Sequence, residues 1–247
     1  GELDSVMNYP LRSAVIDYVK NGTVELMRKN SEGLYRRYPK CTSDNLMNFL
    51  GTHDTERILT ILGGEEMGDK PNAELAKLKM TAEEREIARK KLKLAYGIIA
   101  GMPGSPCVFY GDEAGVEGYR DPFCRMPFPW KKIDEELLLF YRKIGTIRST
   151  NTVFRDGIFE ILHLDERAFC YERKPFDGGE DYKIVVCCAR HGKFTAKIWN
   201  YGKNHGIKLP IIAENLVTDE KNSTFVIREG QTAYLKCPIS SSVEFEF

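Results

Sequence analysis

The sequence predicts an α/β layer followed by an all-β layer, and three observations predict it. Up to about residue 150, short apolar runs alternate with longer helical patterns. Three of those runs, Leu3 to Met7, Leu46 to Leu50 and Pro106 to Tyr110, are mostly apolar without strict alternation, as parallel strands buried on both faces are. From Thr152 onward the texture changes to short runs divided by Gly- and Asp-rich turns, the pattern of antiparallel hairpins in a β-sandwich. The expected units are therefore residues 1–150 and 151–247.

The elements follow in order. After the first strand, Pro10 marks the start of a helix over Leu11 to Lys20. A second helix spans Thr23 to Tyr38 and is stopped by Pro39. After the second strand, Gly63-Gly64 and the polar stretch to Met80 read as a surface insertion. Thr81 with Glu84 three residues later forms a capping box, and Ile87, Leu92, Leu94, Ala95, Ile98 and Ile99 give the helix it opens an apolar face fit for a sheet or barrel wall. Its acids come first and its bases later, as the helix dipole favours. Gly101-Met102-Pro103-Gly104 ends it. A loop rich in Gly, Asp and Pro (Gly111 to Pro129) follows the third strand, then a helix from about Asp134 to Ser149.

In the second half the runs are Ile158 to Leu162, Ala168 to Glu172, Lys183 to Cys188, Ala196 to Trp199, Thr224 to Ile227, Ala233 to Cys237 and Val243 to Phe247. Turns are expected at Asp177-Gly178-Gly179, His191-Gly192, Gly202-Lys203-Asn204 and Glu229-Gly230.

Composition excludes several function classes. The 36 basic and 36 acidic residues cancel, and no Lys/Arg stripe interleaves with aromatics, so nucleic acid is not an expected partner. No apolar run approaches the roughly 20 residues of a membrane span, and the first residues lack a signal pattern, so neither membrane nor export is expected. Seven cysteines, most of them inside apolar runs, suit reduced thiols in a cytoplasmic protein. There is no Cys-x-x-Cys, and Cys187 and Cys188 should point to opposite faces of a strand, so no metal or cofactor is expected.

The segment LMNFLGTHDTER carries the chemistry. A buried strand delivers Thr52, His53 and Asp54 at its carboxyl end, which is where an α/β barrel keeps its active site. By spacing alone, His53 and Asp54 could equally satisfy loop amides. Arg57 could reach the same pocket or pack on Glu56. Asp121 and Arg125 could pair with one another in an exposed loop, and Asp112 and Glu113 read as groups that satisfy backbone and basic partners. Among the nearby aromatics, Tyr119 is the one expected to be exposed and open for ring stacking, while Tyr110 and Trp130 are expected to pack.

Three segments, LDSVMNYP, LMNFLGTHDTERIL and GMPGSPCVFYGDEAGVEGYRDPFCRMPFPW, together with the β-rich tail, carry a family signature. The chain resembles the carboxyl-terminal half of an α-amylase family enzyme, most closely the neopullulanase, cyclomaltodextrinase and maltogenic-amylase branch. The resemblance implies the last three βα units of a (β/α)8 TIM barrel followed by an antiparallel β-sandwich domain. It implies retaining hydrolysis of α-1,4 glucosidic bonds, with α-1,6 bonds open as a second class, in cyclodextrins, pullulan or malto-oligosaccharides. By motif Asp54 is the carboxylate that supports the transition state, His53 hydrogen-bonds the glucose in the cleaved subsite, and Asp121 with Arg125 holds a glucose unit. Thr52 stands where asparagine or serine is commoner.

The resemblance also places residue 1 just before the sixth strand, so the aspartate nucleophile and glutamate acid/base are expected in an N-terminal part of the same enzyme. Retaining hydrolysis needs two carboxyl groups about 5 to 5.5 Å apart, so residues 1–247 are expected to be inactive alone. The open barrel edge is expected to favour homo-oligomers. Two alternatives stay open. One is a noncatalytic carbohydrate-binding or assembly domain; the other is an intact α/β enzyme of a different kind.

Overall fold

The computed structural model describes residues 4–199, 216–218 and 222–247. Helix α1 (Tyr9–Asn21) opens where Asn8 accepts the Leu11 N–H and Pro10 occupies the first turn, and it closes at Gly22 with φ 80°. The single helix expected over Thr23 to Tyr38 is instead divided into α2 (Val24–Glu32) and α3 (Leu34–Arg37). Gly33, a poor helix former, sits at the break. Pro39 then caps a further turn, α4 (Lys40–Ser43).

Strand β1 (Met47–Phe49) leads into α5 (Ile58–Gly63), α6 (Asn72–Leu75) and the long α7 (Ala82–Gly101). The capping box on α7 is present in both directions. Strand β2 (Ser105–Cys107) pairs in parallel with β1, Asn48 opposite Pro106. It is shorter and earlier than the run Pro106 to Tyr110 suggests, because Val108 to Tyr110 leave the ladder. The first expected strand is reduced to one parallel bridge, Met7 to Met47, and Leu3 lies outside the described residues. A buried amide chain ties these segments together: Asn8 Nδ2 donates to Asn48 Oδ1 at 2.9 Å, and Asn48 Nδ2 to the Pro103 carbonyl at 2.7 Å.

Helix α8 (Glu135–Thr150) and the short α9 (Val153–Asp156) lead, among the described residues, into eight strands. These are β3 (Ile158–Leu164), β4 (Ala168–Lys174), β5 (Tyr182–Ala189), β6 (Lys193–Trp199), β7 (Leu216–Thr218), β8 (Asn222–Arg228), β9 (Thr232–Pro238) and β10 (Ser242–Glu246). They form two antiparallel sheets, ordered β3-β4-β5-β9 and β10-β6-β8-β7. Each expected run falls in one of these strands, except that Phe247 lies one residue past β10, and the expected turn at Gly202 to Asn204 lies outside the described residues.

The two sheets share a core that includes Val185, Cys187, Phe194, Ile198, Phe225 and Leu235. The opposite face of the first sheet, with Tyr171, Val186, Cys188 and Tyr234, belongs to the larger core that also holds α1 and α7. Cys187 and Cys188 thus serve two different cores, as strand alternation requires.

That second contact is close. A Cβ on Gly97 would lie 2.4 Å from Thr232 Oγ1, and one on Gly101 would lie 2.3 Å from Tyr171 Oη. The space lets Tyr234 Oη donate to the Gly97 carbonyl at 2.6 Å and Tyr171 Oη to the Ile98 carbonyl at 2.8 Å. One core therefore runs across position 150. Among the described residues no helix is long and apolar enough to cross a membrane.

Candidate active site

The site stands at the carboxyl ends of β1 and β2. Beyond β1 the chain passes Gly51, where a Cβ would sit 2.4 Å from Asp112 Oδ2, so only glycine lets the two loops approach this closely. Thr52, 5% exposed, then builds a tight turn. Its Oγ1 accepts the Asp54 N–H at 3.2 Å, and its own N–H donates to Thr55 Oγ1 at 3.2 Å. The turn projects His53 and Asp54 outward, with 59% and 62% of their side chains exposed.

Asp54 Oδ1 lies 3.2 Å from His53 Nε2 and 3.6 Å from an Arg125 Nη. Arg125 Nε in turn lies 3.0 Å from Asp121 Oδ1. The expected pairing of Asp121 with Arg125 is present, and the same guanidinium also reaches Asp54, a link that sequence spacing does not reveal. Cys124 Sγ donates to the His53 carbonyl at 3.2 Å, joining loops that are 71 residues apart in sequence. Two carboxylates, an imidazole and a guanidinium thus form one exposed chain of acceptors and donors. Exposed ion pairs add only about 0 to 1 kcal/mol to stability. The set is suited to polar, hydroxyl-rich ligands and contributes little to holding the fold.

Arg57 does not join this cluster, and it packs on neither Glu56 nor solvent. It is fully buried, against the rings of Phe109 (4.3 Å to the centroid) and Tyr110 (4.7 Å). One Nη donates to the Tyr110 carbonyl and lies 3.3 Å from Asp112 Oδ1, while Nε and the other Nη have no hydrogen-bond partner. Burial pushes the Asp112 carboxyl up to about 7, against the charge and hydrogen bond of Arg57. Glu113 accepts the Gly111 N–H at 2.8 Å. Both acids therefore satisfy local partners, in keeping with the sequence reading.

The aromatic expectations are reversed. Tyr119 is only 6% exposed and spends its hydroxyl on the Glu65 carbonyl at 3.1 Å, so its ring is not open for stacking. The cause is tertiary: Gly118 N–H donates to Thr60 Oγ1 and Arg120 donates to Asn72 and Lys70, which folds the insertion after α5 over Tyr119. Trp130, in contrast, is 81% exposed beside Phe128, and Tyr110 is 41% exposed. No local sequence signal marks Trp130; its exposure follows from where the loop after β2 runs.

An amylopullulanase of Thermoanaerobacter thermohydrosulfuricus is 34% identical over 210 residues, 78% of this chain and 14% of the relative. A cyclomaltodextrinase of Thermoanaerobacter pseudethanolicus is 32% identical over 239 residues, 92% of this chain and 36% of that one. The chain thus spans well under half the length of either relative. The solved structure of a cyclic alpha-maltosyl-(1→6)-maltose hydrolase from Arthrobacter globiformis matches with a TM-score of 0.68 at 24% identity, over 94% of this chain and 45% of that one, a likeness of fold. Residues 1–154 match the family model described as Alpha amylase, catalytic domain, and the chain belongs to the α-amylase family.

Proposed function

We propose that residues 1–247 form one side of a retaining glycosidase acting on α-glucosidic bonds in cyclodextrins, pullulan or malto-oligosaccharides. In this reading residues 1–150 are the last three βα units of a (β/α)8 barrel and residues 151–247 are a β-sandwich domain. The observation that carries it is the convergence of His53, Asp54, Asp121 and Arg125 in one exposed cluster at the carboxyl ends of two parallel strands.

The roles follow from charge and reach. The Asp54 carboxylate favours the positive charge of an oxocarbenium-like centre. His53 hydrogen-bonds the hydroxyls of the sugar being cleaved. Asp121 and Arg125 grip the neighbouring glucose unit, one accepting from its hydroxyls and the other donating.

The nucleophile and the acid/base are not assigned to any residue of 1–247. Asp121 is bound to Arg125, Asp112 is buried against Arg57, and Glu113 holds a backbone amide. We therefore expect no turnover of cyclodextrin or pullulan by these residues alone. The deciding test is the reading frame upstream of Gly1, which should supply an aspartate after a fourth strand and a glutamate after a fifth. Their absence, or true hydrolysis by residues 1–247 alone, sinks the proposal. In an enzyme holding both, Asp54→Asn should lower kcat by about 10²- to 10³-fold.

Two further parts belong to the same reading. Five of the seven cysteines are buried and unpaired, which supports a cytoplasmic setting. Val6 and Met7 are 45% and 40% exposed beside the Met7–Met47 bridge, an open edge on which copies would associate. Sedimentation should show concentration-dependent self-association that Met7→Lys reduces; a monomer at every concentration removes this part.

A further inference from the structure

On the far side of α7 from α8, the ends of two β-turns meet α1 and α7 around a cleft of about 470 Å³, a volume in the range of small-molecule sites. Its charged lining is Lys20, Lys90, Lys91, Arg190, His191 and Glu229, over Val19 and Leu94. The charges do not balance. Glu229 is occupied by the Gly192 N–H at 2.9 Å and by His191 Nδ1 at 3.1 Å. Lys90 reaches Glu86 only at 3.8 Å, and Lys20 reaches Glu66 at 3.6 Å, whose carboxylate is 88% exposed.

Arg190 donates to two carbonyls, Glu166 at 3.0 Å and Lys20 at 3.4 Å, and its Nε has no partner. Among the described residues neither Arg190 nor Lys91 has an ion pair with a carboxylate. Burial, and then the charges of Lys20 and Arg190, hold the Lys91 ammonium below the usual lysine range, so three cations repel one another across this cleft. The carbonyl end of α1 accounts for Lys20 and Arg190, since cations are favoured at a helix C-terminus. It does not account for Lys91, which stands in the middle of α7.

We propose that this cleft binds a phosphate group, either inorganic phosphate or the phosphate of a small sugar ester. A compact dianion relieves the repulsion among Lys20, Lys91 and Arg190 together. Lysine meets it as a point charge, and Arg190, whose two Nη groups already donate to carbonyls, adds its positive charge. The bound group would join α1 and α7 to the turns after β5 and β8, and so staple the two halves of the chain. The site stands independently of the glycosidase reading.

The test is calorimetric titration of residues 1–247 with inorganic phosphate and, separately, with a hexose 6-phosphate, against chloride at matched ionic strength. Saturable binding is expected, and Lys91→Met should weaken it by about tenfold or more, the loss of one charge-assisted hydrogen bond. Lys143→Gln, which removes a charge from the exposed face of α8, should leave it unchanged. Tighter binding of the hexose ester assigns the sugar phosphate, and equal affinity assigns the free ion. No saturable heat with either probe, or an equal loss in Lys143→Gln, overturns the site. Should Lys91→Met fail to fold, Lys20→Gln is read in the same way.

Discussion

His53 and Asp54 stand in solvent with more than half of each side chain exposed, whereas Arg57, in the same loop, is entirely buried. Each belongs to a cluster that joins the loop after β1 to the loop after β2. The outer cluster links Asp54 to Asp121 through Arg125, and the inner one links Arg57 to Asp112. Similar chemical groups therefore do opposite work. In water an ion pair is nearly neutral for stability and its atoms stay available to a ligand. In the interior the same pair has surrendered its hydration, and neither partner can be lost cheaply. The inner pair fixes the loops, and the outer one uses the position so obtained.

The sharpest way to break the comparison is to remove the inner cation. Arg57→Ala leaves Asp112 buried without its partner and empties the space against the Phe109 and Tyr110 rings, so unfolding free energy should fall by about 3 to 5 kcal/mol. Urea denaturation measures it. A loss below about 1 kcal/mol would mean that the pair is no more coupled to the fold than the surface one.

A second difference lies in pH dependence. Unfolded, the Asp112 carboxyl titrates in the ordinary range near 3.8; folded, it titrates at about 7. Between those values the folded state keeps a proton that the unfolded state has released, so stability contributed by this group is complete below about pH 4 and declines as pH rises to about 7. Asp112→Asn should flatten that part of the stability profile by roughly 2 to 4 kcal/mol, although its absolute level also changes because Arg57 loses its partner. The slope is the readout. An unchanged slope between pH 4 and 7 would show that Asp112 is ionised throughout.

The contrast also separates what a sequence displays from what it hides. Capping at Asn8 and Thr81, the strand runs of the second half, and the opposite facing of Cys187 and Cys188 depend on neighbours one to four residues away, and all are legible. The identity of His53, Asp54, Asp121 and Arg125 as site candidates comes from motif resemblance, and their convergence requires the fold. Arg57 reads as a pocket residue because its partner Asp112 is 55 residues away. Tyr119 reads as exposed because its neighbours are polar, yet those neighbours are the groups that bind the insertion down over it. Burial of a loop residue is decided by what crosses it, and local pattern carries no record of that.

The smallest expected effect on stability is the one that bears most on function. Among the described residues the Asp54 side chain is held only by His53 and Arg125, all three well exposed, so Asp54→Asn should change unfolding free energy by no more than about 0.5 kcal/mol. Arg125→Ala should behave likewise, since its ion pairs lie in water. On the proposed roles both variants should nevertheless lose affinity for malto-oligosaccharide, because the lost groups face solvent and not the core. Denaturation and sugar titration on the same samples therefore give opposite rankings for the two clusters. Arg57→Ala should move the first measurement strongly, and Asp54→Asn should move only the second. If Asp54→Asn proves as destabilising as Arg57→Ala, the outer cluster is a structural clasp, and the functional assignment of its four residues fails with it.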